Sequence, residues 1–254
     1  MTVCDTIFRA LAPACPERTI AGHYADLCTV NPHGFDASTG RLFWSHIGHP
    51  GGGWGAKHDE DGMSATVCLN DGDTHNSRVE ATEAKSPIIV ERRTLRQDSG
   101  GPGKFRGGLG VANEVRMRRT ATIHAHVERT ICAPWGLHGG KDALANRISM
   151  QRANGEVEKF PTGKIKPTEI DAGDSFLIET AGGGGFWNSF ERDPERVLAD
   201  VRAGYVSLDA ARQDYGVVIQ QRGRRFDLDA VATTEMRRQK RTLKIPDSKL
   251  QIGG

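Results

Sequence analysis

The fold is decided by a stretch that runs Ile88-Ile-Val-Glu-Arg-Arg-Thr-Leu95 and continues, after two residues, as Asp98-Ser-Gly-Gly-Pro-Gly-Lys-Phe-Arg-Gly-Gly-Leu-Gly110. Its first part is rich in β-branched residues that partly alternate with polar ones, which predicts a β-strand. Its second part is dominated by glycine, and the strand pattern resumes at Val111 to Val115. The stretch therefore predicts two strands joined by a glycine-rich corner.

The same combination of short strands and glycine-rich corners extends to both sides of this stretch. Residues 26–43 place turn residues around short apolar pieces, which predicts an irregular, β-rich segment. Further strands are predicted at Leu42–His46, Ala121–Val127, Asn146–Met150, Val157–Phe160 and Phe176–Glu179. These patterns predict a sheet-dominated region over about residues 40–186.

Helical patterns lie at the two ends of the chain. Apolar spacing predicts a short helix at Thr6–Ala12, which Pro13 and Pro16 end because proline lacks a backbone donor. The stretch Asp193–Arg202 combines an acidic N-cap with proline at the first helical position and predicts a second helix. The C-terminal region also predicts helices at Ser207–Asp214 and Asp227–Arg241, and a short strand at Gly216–Ile219.

Together these patterns predict an α+β fold in two parts. The first is a β-rich body with glycine-rich loops over residues 1–190, and the second is a helical C-terminal segment over residues 191–254. A repeat architecture is excluded because no segment of the sequence recurs at a fixed period.

Composition narrows the classes of function. The 34 basic and 32 acidic residues nearly balance, and no basic stripe is interleaved with aromatic residues, so we expect no nucleic-acid partner. No apolar run approaches the roughly 20 residues that span a bilayer, and the N-terminus lacks a secretory pattern, so we expect a cytoplasmic protein without a membrane partner. The 5 cysteines contain no Cys-x-x-Cys pair, which argues against a zinc or redox site.

Two glycine runs are candidates for binding a substrate or an anion, because glycine lets a ligand approach the backbone closely. The first run is Gly51, Gly52 and Gly53. It lacks the Gly-Lys-Ser/Thr ending of a nucleotide-binding P-loop, so a tight structural turn is the stronger interpretation. The second run is Gly182, Gly183, Gly184 and Gly185. Four consecutive glycines are costly to order, which favours a close approach by either a ligand or another protein segment.

Charged side chains supply the other candidates for a site. Lys104 and Arg106, within the glycine-rich corner, could cradle a carboxylate or phosphate, although an exposed connection between two strands is slightly favoured. His75 and Glu80 are candidates for acid–base catalysis because carboxylates lie on both sides of His75; a solvated polar loop is the alternative. The pair His124-x-His126 lies on one face of a predicted strand, but no third ligand follows it, so we predict no metal site in this chain.

Taken together and in this order, several segments resemble the C-terminal half of the hydantoinase B family, which includes 5-oxoprolinases and subunits of acetone and acetophenone carboxylases. The segments are Gly51–Ala56, Glu80–Glu91, Leu95–Gly101, Gly103–Gly108, Pro134–Leu137, Gly139–Gly140, Glu179–Phe186, Glu191–Pro194 and Tyr215–Val218. The resemblance covers about residues 20–219, and it is the ensemble that is specific.

The resemblance implies a subunit that works inside a larger enzyme. Members of this family act with a hydantoinase A-type subunit that binds ATP, and the expected Mg²⁺ belongs with that partner. The family's divalent metal belongs to its N-terminal half, so another polypeptide is expected to supply that half and the metal. Phosphorylation of a carbonyl oxygen creates the leaving group that an unstrained amide lacks.

The function that the resemblance implies is a split subunit of an ATP-dependent enzyme that hydrolyses a cyclic amide, a small-molecule substrate. A subunit of a biotin-independent ketone carboxylase and a non-catalytic scaffolding subunit stay open as alternatives.

One segment departs from the family pattern. Trp187-Asn-Ser189 follows Phe186 where the family usually has Gly-Asp-Pro, which reshapes either a substrate pocket or a loop.

Overall fold

The computed structural model describes residues 2–36, 39–47, 50–67 and 77–242 of the chain. The strands in these ranges are β1 Thr29–Asp36, β2 Arg41–Trp44, β3 Ile88–Leu95, β4 Val111–Met117, β5 Ala121–His126, β6 Arg147–Gln151, β7 Val157–Lys159, β8 Lys164–Ile170, β9 Ser175–Glu179, β10 Ile219–Arg222 and β11 Arg225–Leu228. The α-helices are α1 Thr2–Leu11, α2 Val79–Lys85, α3 Pro194–Arg202, α4 Leu208–Asp214 and α5 Ala230–Thr242. Short 3-10 turns lie at Pro16–Arg18 and Ser189–Glu191. This content confirms the predicted α+β fold.

The chain divides into two compact units, Met1–Ser189 and Phe190–Gly254. The first contains two antiparallel sheets, one of four strands in the order β2-β1-β5-β8 and one of five in the order β3-β4-β9-β6-β7. Side chains from both sheets meet in one hydrophobic core. Its members include Val30, Ile123 and Ile165 from the four-stranded sheet and Val115, Ile148 and Ile178 from the five-stranded sheet.

The second unit has its own small core, which the capped helices α3 and α4 and the β10–β11 hairpin supply. Both predicted N-caps are confirmed: Asp193 accepts the Glu195 N–H at 3.0 Å, and Ser207 Oγ accepts the Ala210 N–H at 3.1 Å. Buried apolar side chains in this unit include Val197, Val201, Ala211, Tyr215 and Val217.

Most strands of the first unit were predictable, but some elements of the chain differ from the sequence patterns. Strand β1 is regular across the segment predicted to be irregular, and β8 had no predicted counterpart; Pro32 and Pro167 interrupt their patterns. The strand predicted at Gly216–Ile219 is wrong, because β10 begins only at Ile219. The Val217 N–H donates to the Ala211 carbonyl at 2.9 Å. Residues 216–217 therefore terminate helix α4 and are not paired as a strand.

Glycine-rich segments outside the named strands and helices pack backbone against backbone, and we call them the glycine bundle. The bundle consists of residues 51–56, 100–110, 134–141 and 181–187. The Gly53 N–H donates to the Ala181 carbonyl at 3.0 Å, and the Gly101 N–H donates to the Gly183 carbonyl at 2.8 Å. A Cβ atom on Gly107 would lie 1.7 Å from the Gly183 carbonyl oxygen. Glycine is therefore required where these segments touch, because no side chain fits between the two backbones.

Candidate functional site

The run Gly182 to Gly185 faces protein backbone in the glycine bundle. Three of its amides donate to carbonyl oxygens of other segments: Gly183 to Gly108 at 2.9 Å, Gly184 to Gly22 at 2.7 Å and Gly185 to Lys141 at 3.0 Å. A Cβ atom on Gly184 would lie 1.9 Å from the Trp135 carbonyl oxygen. The sequence left open whether a ligand or a protein segment makes the close approach, and this geometry favours the protein segment.

The run Gly51 to Gly53 forms a tight turn in the same bundle. Gly51 adopts a positive φ of +77°, which few residues other than glycine tolerate. The Gly52 N–H donates to the Thr66 carbonyl at 2.8 Å. The geometry agrees with the structural interpretation that the sequence favoured, and anion binding by this run stays a prediction.

Lys104 and Arg106 differ in exposure and in their contacts. Arg106 is 5% exposed, and its Nη1 donates to the carbonyl oxygen of the adjacent Gly107 at 2.7 Å. The Arg106 N–H also donates to the Asp61 carboxylate at 2.7 Å. Lys104 is exposed, with its ammonium 5.9 Å from the centre of the Phe105 ring. The segment does connect two antiparallel strands, β3 and β4, as the favoured interpretation held. The predicted exposure is wrong, because the glycines of the segment are buried against other parts of the bundle.

The segment with the predicted acid–base residues is only partly described. His75 lies outside the described residues. Glu80 is exposed in the first turn of α2. Its neighbour Glu83 has a local role, since a Glu83 carboxylate oxygen accepts the Val90 N–H at 2.8 Å and ties α2 to β3. Glu80 is therefore accessible to a ligand or a partner, and its catalytic role stays a prediction.

Histidines that are distant in the sequence lie close together on the four-stranded sheet. Because β1 and β5 are antiparallel partners with Asn31 opposite His124, His33 lies beside the predicted pair His124 and His126. The ring centroids of His33 and His124 are 5.6 Å apart, and those of His124 and His126 are 6.3 Å apart. The sequence pattern could not show this neighbour, since the pairing of two distant strands creates it. Even so, among the described residues, no three His, Cys, Asp or Glu side chains form a group that could hold a metal ion.

A hydrogen-bonded chain orders these imidazoles. His46 Nδ1 lies 2.8 Å from the Asn31 side-chain oxygen, and the Asn31 amide nitrogen lies 3.2 Å from His124 Nε2. An amide nitrogen can only donate, so His124 Nε2 accepts and is unprotonated. Burial lowers the pKa of His124, and the neighbouring His33 and His126 lower it further. His124 is therefore a neutral imidazole in the middle of the group.

Exposed apolar side chains border the histidines on the same face of the sheet. His33 pairs with Trp44 across β1 and β2, and Phe35 pairs with Leu42. Phe35, Leu42 and Trp44 are 61%, 83% and 64% exposed. We call the side chains on this side of the sheet the histidine face: Asn31, His33, Phe35, Leu42, Trp44, His46, His124 and His126. Such a face can exchange protons through its imidazoles or contact a partner through its apolar border.

A second polar cluster is enclosed beneath helix α1. Asp5 and His23 are both 0% exposed, with Asp5 Oδ1 2.8 Å from His23 Nδ1, and the other Asp5 oxygen pairs with Arg129. Burial opposes ionisation of Asp5, but the hydrogen bond to His23 and the charge of Arg129 outweigh it, so the pKa of Asp5 is lowered. Groups enclosed in this way do not reach a substrate. The cluster holds α1 on the body of the protein.

The family model of hydantoinase B/oxoprolinase matches residues 1–189, which is most of the chain. The chain belongs to the hydantoinase B family. The curated relatives of this hydantoinase B-type chain include the B-type subunit of a D-/L-hydantoinase from Pseudomonas sp. strain NS671, 30% identical over 93% of this chain, and the beta subunit of the caprolactamase of Pseudomonas jessenii, 31% identical over 91%. Those alignments span only 38% and 40% of the two relatives, so this hydantoinase B chain corresponds to about two fifths of their length.

Solved structures share the fold of this hydantoinase B chain. The ATP-dependent caprolactamase from Pseudomonas jessenii superposes with a TM-score of 0.77 at 29% identity, over 91% of this chain and 40% of that one. Nucleotide-free acetone carboxylase superposes with a TM-score of 0.82 at 21% identity, over 94% of this chain and 37% of that one. The second likeness shows the fold alone. No helix among the described residues is long and apolar enough to cross a membrane.

Proposed function

We propose that this chain is a subunit of an ATP-dependent hydantoinase-type enzyme that hydrolyses a cyclic amide through a phosphorylated intermediate, and that it is active only with partner subunits. The observation that carries the proposal is the 31% identity to the beta subunit of caprolactamase over 91% of the chain. The names of that relative and of the D-/L-hydantoinase relative both denote enzymes of cyclic amides. The acetone carboxylase likeness supports the fold but not carboxylation, so hydrolysis is the preferred reaction.

The chemistry explains why ATP and partners are needed. Water attacks an unstrained amide slowly, because the carbonyl carbon is a weak electrophile and the nitrogen leaves poorly. Transfer of the γ-phosphate to the amide oxygen makes that oxygen a leaving group and the carbon a better electrophile. In this proposal ATP and Mg²⁺ are bound by a hydantoinase A-type partner. A further polypeptide supplies the rest of the hydantoinase B sequence and its divalent metal.

Within this chain, Glu80 and His75 are the proposed acid–base groups. The exposed Glu80 carboxylate stands at the start of α2, where a partner's substrate pocket can reach it. A positioned general acid or base contributes roughly 10²–10⁴-fold to a rate. Glycines 51–53 and 182–185, with Lys104 and Arg106, stay proposed contacts to substrate or anion. The packing of these glycines indicates that they would act mainly by holding the adjoining loops in place.

The experiment that tests the proposal is purification of the native complex through a tag on this chain, followed by native mass spectrometry and metal analysis. ATP-dependent hydrolysis would then be assayed with caprolactam, hydantoin and 5-oxoproline as substrates. We expect at least two partner polypeptides, one containing the metal, and turnover that depends on ATP. A chain that purifies alone, or that hydrolyses an amide alone, contradicts the proposal.

A scaffolding subunit is the second candidate, because the described glycine contacts are made between protein segments. The Glu80→Gln variant distinguishes the two. If Glu80 takes part in chemistry, we expect kcat to fall about 100-fold with the complex intact. Glu17→Gln is the matched control, since it removes an exposed carboxylate elsewhere on the same chain. Unchanged turnover in Glu80→Gln favours the scaffold.

A further inference from the structure

Helix α1 carries apolar side chains on its exposed side. Its one buried residue is Asp5, whereas Val3, Ile7 and Leu11 are 70%, 51% and 46% exposed. These three positions are spaced by four residues, so they form one stripe along the helix. We call Val3, Ile7 and Leu11 the α1 stripe. A helix that packs only on its own unit normally buries such a stripe.

Contacts of Asp5 on the inner side of α1 fix the orientation of the α1 stripe. Asp5 joins α1 to His23, which follows in the chain, and to Arg129, which lies just after β5. Turning the stripe inward would remove the Asp5 carboxylate from both partners and leave the charge of Arg129 buried without it. The structure therefore holds the α1 stripe outward by an ionic and hydrogen-bonded contact.

The length of the relatives indicates what covers the stripe. This chain corresponds to 38–40% of the relatives' length, so most of a hydantoinase B-type protein has no counterpart in it. An exposed apolar stripe at helical spacing is the contact that packing between helices or on a sheet uses. We propose that the α1 stripe docks the polypeptide that carries the remainder of the hydantoinase B sequence. This inference rests on the proposed function and assigns its partner contact to specific residues.

Two other occupants fit the stripe less well. A 10-residue helix is about 15 Å long, and a pair of such helices buries far less than the roughly 1,200 Å² of a stable interface, so a second copy needs additional contacts. A membrane surface favours helices with several basic residues on the polar face, whereas Arg9 is the one basic residue in α1. A partner of the same family can cover the stripe together with the surface around it.

The test compares Ile7→Glu with Thr6→Glu in the full chain. Both positions are exposed on α1, and both changes add the same carboxylate, but only Ile7 lies in the stripe. Each variant is purified with its complex through a tag, and the partners are identified by peptide mapping against hydantoinase B sequences. We expect Ile7→Glu to retain less than about a tenth of the partner that carries the missing family sequence, and Thr6→Glu to retain all of it. Circular dichroism of the isolated chains should be unchanged in both.

The alternative results separate this inference from the proposed function. If wild type recovers the partner and Ile7→Glu retains it as well, the docking assignment is wrong. The proposed function is not affected by that result. A wild-type chain that recovers no hydantoinase-type partner overturns the proposed function and, with it, the assignment. The assignment is also overturned if light scattering shows a dimer that Ile7→Glu makes monomeric, or if lipid vesicles bind the wild-type chain but not the variant.

Discussion

Asp5 shows how a single buried carboxylate can fix the position of an element. It is fully buried, and His23 and Arg129 together provide its partners. We expect Asp5→Asn to reduce the free energy of unfolding by about 3 kcal/mol, because Arg129 would keep its charge without a counterion. Urea unfolding followed by circular dichroism measures this loss, with the exposed Glu17→Gln as control. Equal stability of the two variants would show that α1 is held by other contacts.

The same carboxylate makes stability depend on acid pH. The pKa of Asp5 is lowered in the folded protein, so the folded state binds its proton less readily than the unfolded chain does. The stabilisation from Asp5 is therefore present above its ordinary pKa of about 4 and is lost as pH falls below that value. The difference in stability between wild type and Asp5→Asn should shrink over this range.

His124 supplies a second prediction at the residue scale. Burial lowers its pKa, and His33 and His126 lower it further, so it should titrate below the ordinary value of about 6.5. His33→Gln removes one of the two neighbouring imidazoles that lower the pKa of His124, so it should raise that pKa, as measured by NMR titration of the His124 imidazole signals. For a histidine with a lowered folded pKa, stability falls as pH drops through the unfolded value, and this fall should be smaller in the variant. An unchanged His124 titration would exclude coupling between the two rings.

At the scale of elements, the segments of the glycine bundle pack backbone against backbone, with no room for side chains between them. A Cβ atom on Gly183 would lie 1.8 Å from the Trp54 carbonyl oxygen, and no flexible side chain is there to move aside. We expect Gly183→Ala to cost more than about 3 kcal/mol of stability or to prevent folding. Gly40→Ala is the control: it adds the same methyl group at a positive φ of +67° with nothing within 4 Å, and should cost only about 1 kcal/mol. Similar melting temperatures for the two variants would contradict tight packing at Gly183.

The elements differed in how far the sequence could predict them. Strand β3 was predicted to the residue, and the N-caps of α3 and α4 were predicted correctly, because their signals are local. The glycine corners were recognised, yet which segments they touch depends on contacts between distant parts of the chain. The histidine face was half predicted for the same reason: spacing places His124 beside His126, whereas the register of β1 on β5 adds His33.

At the scale of the whole molecule, the part of the chain that the structure describes leaves apolar surfaces uncovered at the α1 stripe and at the border of the histidine face. Such surfaces are expected of a protein that completes its structure by association. The site could be predicted only in part from the sequence because the chain corresponds to about two fifths of its relatives. In the proposed enzyme, the substrate pocket would include groups that the rest of the assembly supplies.

The reaction of that assembly can be tested by the fate of one oxygen atom. If the amide oxygen is phosphorylated, one water adds to the carbon and the ring C–N bond breaks, which gives an amine and an acyl phosphate. A second water then attacks the same carbon, the bond between carbon and the original amide oxygen breaks, and that oxygen leaves with the phosphate. A cyclic amide labelled with ¹⁸O at the carbonyl should therefore transfer the label to inorganic phosphate, as measured by mass spectrometry of phosphate and product. Unlabelled amide in ¹⁸O-water is the control, and it should place the label in the carboxylate product and leave phosphate unlabelled. Retention of the carbonyl label in the carboxylate product, with ATP still consumed, would contradict this route.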